Sequence, residues 1–260
     1  VNASVEETVD DFYNSDLESI VDNIINDVYS TNVDPLDPDY IRSVGEMMSE
    51  AIYKAFDFNG DFENPNIDAD DLEFVNAFRK SNYYFVGGKN KVMKQSFTDL
   101  LFDGNNLRSF NQFKSECKKV GLQFNKNYLK TEYQTAIANA QSASDWNSFD
   151  DEDILRYDAV MDGGTRPEHA KLNGLELPKS DRLWSVIAPQ NSWNCRCRLL
   201  VVPNGKPKKV STKERNAYKK LVDKDFKFNP GTTGDLFPPN HPYLKVLTKE
   251  DKSRIDGIMD

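Results

Sequence analysis

The sequence predicts an α+β chain: a helical N-terminal half followed by a small sheet-containing module. Three observations carry this. Apolar residues recur at three- and four-residue spacing from Val5 to about Trp146, the mark of helices with one buried face. Residues 155–161 and 194–202 alternate or run apolar between turn-forming residues, as strands do. The composition, 38% hydrophobic and 12% aromatic, can supply a core, and no apolar run is long enough to span a bilayer.

The elements follow in order. Ser4 and Glu7 form a capping box, and Val5, Val9, Phe12, Leu17, Ile20, Ile24 and Val28 predict one long helix to about Tyr29. A break over residues 32–37 contains Pro35, and Pro38 opens a second helix with Ile41, Val44, Met48, Ile52 and Phe56 on one face. The two read as an acidic helical hairpin, an arm of residues 1–68. Residues 57–68 superficially suggest a calcium loop. Phe62 stands where glycine is required, Pro65 interrupts, and Asp68 replaces the bidentate glutamate, so the stretch reads as a helix-terminating turn.

Residues 69–150 are expected to form the helical part of the body. Helix resumes over 70–80, the aromatic and glycine run 83–88 reads as a buried connector, and helices follow over 89–102, 109–120 and 127–146. Ser109 and Gln112 form the box of the second of these, and Gly121 its end. Cys117 lies on the apolar face of Phe110, Phe113 and Val120, as a small buried hydrophobe.

The module of residues 151–245 concentrates the chemistry. Between Tyr157 and Val202 lie one of two histidines, two of three cysteines and two of three tryptophans. The first strand ends in Asp162-Gly-Gly164, and Thr165 with Glu168 reads as a capping box for a short helix that carries His169 and closes at Asn173-Gly174. Ser180 and Asp181 open a second turn holding Leu183 and Trp184. If Cys195 and Cys197 lie in a strand, both thiols face one way, with Cα atoms about 7 Å apart, at the limit for a disulfide. Two thiols and an imidazole suit zinc, a borderline-soft ion that takes both donor types. A structural site wants a fourth ligand, for which His241 is the first candidate and Asp162 the second. The competing reading has His169 capping its helix while both cysteines pack in the core. A basic linker at 206–209, a charged helix over 211–222, an extended segment over 229–243 and a tail of 246–260 complete the chain.

The net charge of −9 hides a split. Residues 1–73 hold twenty acids against two bases, leaving twenty-two against thirty-one for the rest. This predicts an acidic arm and a basic body, and it argues against indiscriminate nucleic-acid binding by the whole chain.

Arg166-Pro-Glu-His-Ala-Lys-Leu-Asn-Gly174, then Asp181-x-x-Trp184, then Pro189-x-Asn-Ser-Trp-Asn-Cys-Arg-Cys197 together resemble the signature of the phage Mu protein F-like family of minor head, or head morphogenesis, proteins. Tyr128 to Ala136 with Trp146, and Phe226-x-Phe-Asn-Pro-Gly231 with Phe237 and His241-Pro-Tyr243, extend the resemblance to roughly residues 74–245. Other branches carry Cys-x-x-Cys before Leu-x-Gly; here Arg166 stands at the first of those positions and His169 at the second. The resemblance implies a minor structural protein of a tailed-phage or prophage head. It would act with the portal protein and other capsid proteins during assembly, in the virion or the host cytoplasm, with DNA as a further partner. It implies no membrane and no small-molecule substrate; the one cofactor expected, from the donor chemistry and not from the resemblance, is a structural zinc on His169, Cys195, Cys197 and His241. The alternative is a carrier module of a polymorphic toxin, which normally continues into a toxin domain; seventeen residues follow Tyr243. A zinc-dependent enzyme is disfavoured. Deaminases pair His-x-Glu with Pro-Cys-x-x-Cys, whereas here the order is Pro-Glu-His and one residue separates the cysteines. Cys-Arg-Cys within an apolar strand also lacks the exposed helix N-terminus that activates a thiol.

Overall fold

The computed structural model describes residues 2–30 and 34–259, with side chains from Val5 onward. The side chain of the cap expected at Ser4, and residues 32–33 at the start of the expected break, lie outside this description. Helix α1 (Asn2–Phe12) runs through a π-helical turn, Tyr13–Leu17, into α2 (Glu18–Tyr29). The buried residues Val9, Tyr13, Leu17, Val21 and Ile25 are spaced by four. A regular helix of 3.6 residues per turn drifts off such a stripe, and the wider π turn realigns it. That is why Tyr13 and Val21 take the core positions expected of Phe12 and Ile20, which are only half-buried.

Helix α3 (Pro38–Ala55) buries Ile41, Val44, Met48 and Ile52 as its periodicity predicts. The turn after it is closed by its own polar groups: Asn66 donates to the Asp57 carbonyl (2.7 Å), and Asp61 accepts from the Glu63 and Asn64 amides (2.9 and 3.0 Å). Helix α4 (Ala69–Asp99) corrects an expectation, since 31 residues run without a break through the anticipated connector. Gly87 and Gly88 serve close approach. A Cβ on Gly87 would meet Ile255 Cδ1 at 2.4 Å, and one on Gly88 the Tyr243 carbonyl oxygen at 2.0 Å.

A two-stranded ribbon, β1 (Phe102–Asp103) and β2 (Asn106–Leu107), turns at Gly104, whose φ is +57°. Helix α5 (Phe110–Leu122) begins with the Ser109–Gln112 box, as expected. It does not end at Gly121: a second π turn, Gln123–Tyr128, carries it into α6 (Leu129–Ser148). Gly121 is buried, and a Cβ there would lie 3.2 Å from Val21. On α6, Ala136, Ala140 and Ala143 are fully buried.

The remaining elements are β3 (Ile154–Asp158), α7 (Pro167–Ala170), β4 (Glu176–Pro178), α8 (Trp184–Ile187), β5 (Arg198–Val201), α9 (Thr212–Lys219), α10 (Pro230–Thr233), α11 (Pro242–Lys245) and α12 (Lys249–Met259). Short helical turns therefore punctuate the segment expected to be extended, and the expected tail is a helix with Ile255 buried. The α+β class holds.

Contacts divide the chain into two compact units that interleave in sequence, whereas the sequence reading placed boundaries at 68, 150 and 245. The first comprises Val1–Glu50, Arg79–Gln134 and Asn240–Asp260; the second comprises Ala51–Phe78 and Thr135–Pro239.

In the first unit the charge split closes on itself. Acids of α1 and α2 meet lysines of α5, the second π turn and α6: Asp22–Lys114 at 2.9 Å, Asp10–Lys130 at 3.1 Å, Asp10–Lys126 at 3.7 Å and Glu18–Lys118 at 3.8 Å. Lys126 also sits 4.7 Å above the Tyr13 ring, bridging the two π turns. Deeper inside, Lys89 pairs with Glu132, and Tyr40 donates to Asn125 (2.7 Å). Burial pulls Lys89 below its usual pKa and pushes Glu132 above its own, each resisted by the other's charge.

The second unit is built on a three-stranded antiparallel sheet in the order β4-β3-β5. Leu155, Tyr157, Leu177 and Leu199 share its buried face. On the other face Arg156 pairs with Glu176 (3.9 Å) and Arg198 with Asp158 (3.2 Å), cross-strand neighbours that fix the register.

Candidate metal centre

The centre lies on the buried side of the second unit's sheet, where three loops are tied together. The sequence reading placed Cys195 and Cys197 within a strand. The strand begins only at Arg198, because Asn194 turns the chain with φ +56°. Asparagine tolerates this left-handed conformation better than most residues. The thiols converge because of the turn, not by strand alternation.

Helix α7 supplies the third group. Its expected capping box is absent: Arg166 occupies the N-cap position without a side-chain cap, and Pro167 takes the first helical place. Thr165 instead exchanges hydrogen bonds with Asp162 (3.3 Å each) in the preceding turn. Two arginines then anchor this turn to the cysteine loop. Arg166 donates to the Trp193 carbonyl (3.0 Å), and Arg196 makes a two-pronged pair with Asp162 (2.7 Å each). Gly164 leaves room for that fork, since a Cβ would lie 3.0 Å from the Arg196 guanidinium. The fork and the Gly164 amide hold Asp162 down at a pKa of about 2.

His169, Cys195 and Cys197 come together, all buried, with ligand atoms within 4.8 Å of one another. His169 Nδ1 is 3.5 Å from the Cys195 sulfur and 3.7 Å from the Cys197 sulfur, while Nε2 faces Ser192 Oγ at 3.5 Å. Cys195 is the thiol held well below its usual pKa, by the hydrogen bond from Cys197 and, against the effect of burial, by His169; Cys197 is pushed up. A cleft of about 10 Å³ opens onto the cluster between Val160, Thr165, Asn194 and Arg196.

The proposed fourth ligands are placed elsewhere. His241 belongs to the first unit, where its Nδ1 accepts the Tyr243 amide (3.3 Å) and its ring lies against Phe85 and Tyr243. Asp162 is spent on Arg196. Among the described residues, the group that could hold a metal is the three-residue one.

Asn191 carries a role that the sequence did not show. Fully buried, it accepts the Tyr157 hydroxyl (2.6 Å) and donates to the Ile187 and Ala188 carbonyls (3.1 and 2.8 Å), fastening the cysteine loop to β3 and α8. Nearby, Trp184 donates to the Pro178 carbonyl (3.0 Å), and Arg215 forks onto Asp181 (2.6 Å each). Glu132, an acid that no local sequence feature marks as buried, lies buried against Lys89.

Residues 91–200, which include the whole cluster, match the model of the family described as Phage Mu protein F like protein. A putative capsid assembly protein F of Escherichia phage Mu is 38% identical over 77 residues, 30% of this chain and 18% of that protein. A Mu-like prophage FluMu F protein of Haemophilus influenzae is 37% identical over 71 residues, 27% of this chain and 17% of that protein. The matched stretches thus span less than a fifth of these curated relatives. No solved structure matches the chain. Among the described residues no helix is long and apolar enough to cross a membrane.

Proposed function

From a Mu protein F-like stretch at residues 91–200, we propose that this chain is a capsid assembly protein of a tailed phage or prophage, working beside the portal and other capsid proteins as the head forms. The observation that carries the reading is that the matched stretch contains the loops tied together around His169, Cys195 and Cys197. A module braced by Arg196–Asp162, Arg215–Asp181 and Asn191 is suited to present a fixed surface to a partner. We place it in the head or in the host cytoplasm during assembly, and we assign it no turnover.

Protein partners are favoured over duplex DNA in this reading. Lys114, Lys118, Lys126 and Lys130, four of the basic residues along one helical run, already face the chain's own acids. Co-expression with a portal protein from the same phage or prophage, followed by size-exclusion chromatography at micromolar concentration, tests the reading. Co-elution is expected, and clean separation would overturn the portal assignment.

A further inference from the structure

We propose that His169, Cys195 and Cys197 bind one thiophilic divalent ion, zinc first, through Nδ1 and two thiolates, with a solvent molecule as the fourth ligand. A tetrahedral zinc with bonds of about 2.0–2.1 Å to nitrogen and 2.3 Å to sulfur sets an N···S edge of about 3.6 Å. The two observed edges are 3.5 and 3.7 Å. One ring nitrogen equidistant from two sulfurs is poorly served by a hydrogen bond, because its single proton or lone pair points along one direction. A cation at the centre of the triangle uses that lone pair and both sulfurs at once.

The outer contacts fit the same assignment. Ser192 Oγ faces Nε2 at 3.5 Å, where a hydroxyl oxygen can accept the ring proton; in that tautomer the Nδ1 lone pair is turned to the two sulfurs, as in ligating histidines. Among the described residues the protein brings three ligands together, and Asp162, the second candidate for a fourth, is forked to Arg196. The cleft at the cluster, about 10 Å³, is close to the space one water needs.

The test uses the full chain, purified reduced and supplied with Zn²⁺ or Co²⁺. One zinc per chain by elemental analysis is expected, with tetrahedral thiolate-cobalt bands on Co²⁺ substitution. Failure to bind at that ratio would overturn the site. Cys195→Ser and Cys197→Ser should each lose the ion, and His241→Ala should keep it. Retention in both cysteine variants, or loss in His241→Ala, would overturn the ligand set. Ser192→Ala leaves every ligand in place, so it separates ligation from folding. Its zinc affinity, measured by chelator competition, should fall by roughly tenfold to a hundredfold, and an unchanged affinity would remove Ser192 from the site. Cyanide added to the cobalt form of the unaltered chain should shift the bands; bands that do not move would show the fourth position closed. None of these results depends on portal binding, so the site and the assembly role fail separately.

Discussion

Lys89 on α4 and Glu132 on α6, 43 residues apart, form an ion pair with both side chains buried in the first unit. Removing one partner strands the other charge out of water, at a cost of about 3–5 kcal/mol. Lys89→Met should therefore lower the urea midpoint sharply. Lys89→Met combined with Glu132→Leu should regain much of it, because no charge is then left buried. A single variant as stable as the parent would mean that water reaches the pair.

Gly88→Ala tests the passage of α4 beneath Tyr243. The added Cβ would lie 2.0 Å from a backbone oxygen, which has no rotamer by which to retreat. A loss of about 1–3 kcal/mol or more is expected by denaturant titration. Gly257→Ala, with nothing within 4 Å of its Cβ and a helical backbone, should cost nothing or stabilise by a few tenths of a kcal/mol, roughly. Equal effects would count against the close approach.

The Asp162–Arg196 fork gives a pH dependence. The folded carboxyl titrates at about 2 and the unfolded one at 3.8, so the unfolded chain takes up the proton first as pH falls. The stabilisation is present in full above the unfolded value, fades as pH drops from 3.8 towards about 2, and is gone below. The difference in urea midpoint between the parent and Arg196→Gln should shrink across that window. A constant difference would mean that Arg196 acts through packing alone.

Replacing Glu6, Asp10, Glu18 and Asp22 by their amides should expose the four facing lysines to external anions. Each exposed pair contributes about 0–1 kcal/mol, so folding should survive. The variant should bind duplex DNA more tightly than the parent, with a log–log salt slope of about −2 to −4 if two to four phosphates are contacted. Identical weak binding by both proteins would leave the charge split as an internal packing device.

What the sequence determined by itself is local or periodic. It marked the helix faces of α2 and α3, the Ser109 cap, the alternation in β3, and the one segment that gathers the imidazole and the paired thiols, because each is written within a few turns or residues of chain. Only the tertiary structure decided the rest. Gly87-Gly88 reads as a break until Ile255 and the Tyr243 backbone lie against it. Glu132 reads as a surface acid until Lys89 arrives from another helix. Of the two histidines, His169 came to face two thiols and His241 became a helix cap lying against Phe85, because a ligand is defined by what converges on it. The spacing of residues along the chain does not fix that convergence; the closing of loops through Asn191, Arg166 and Arg196 does.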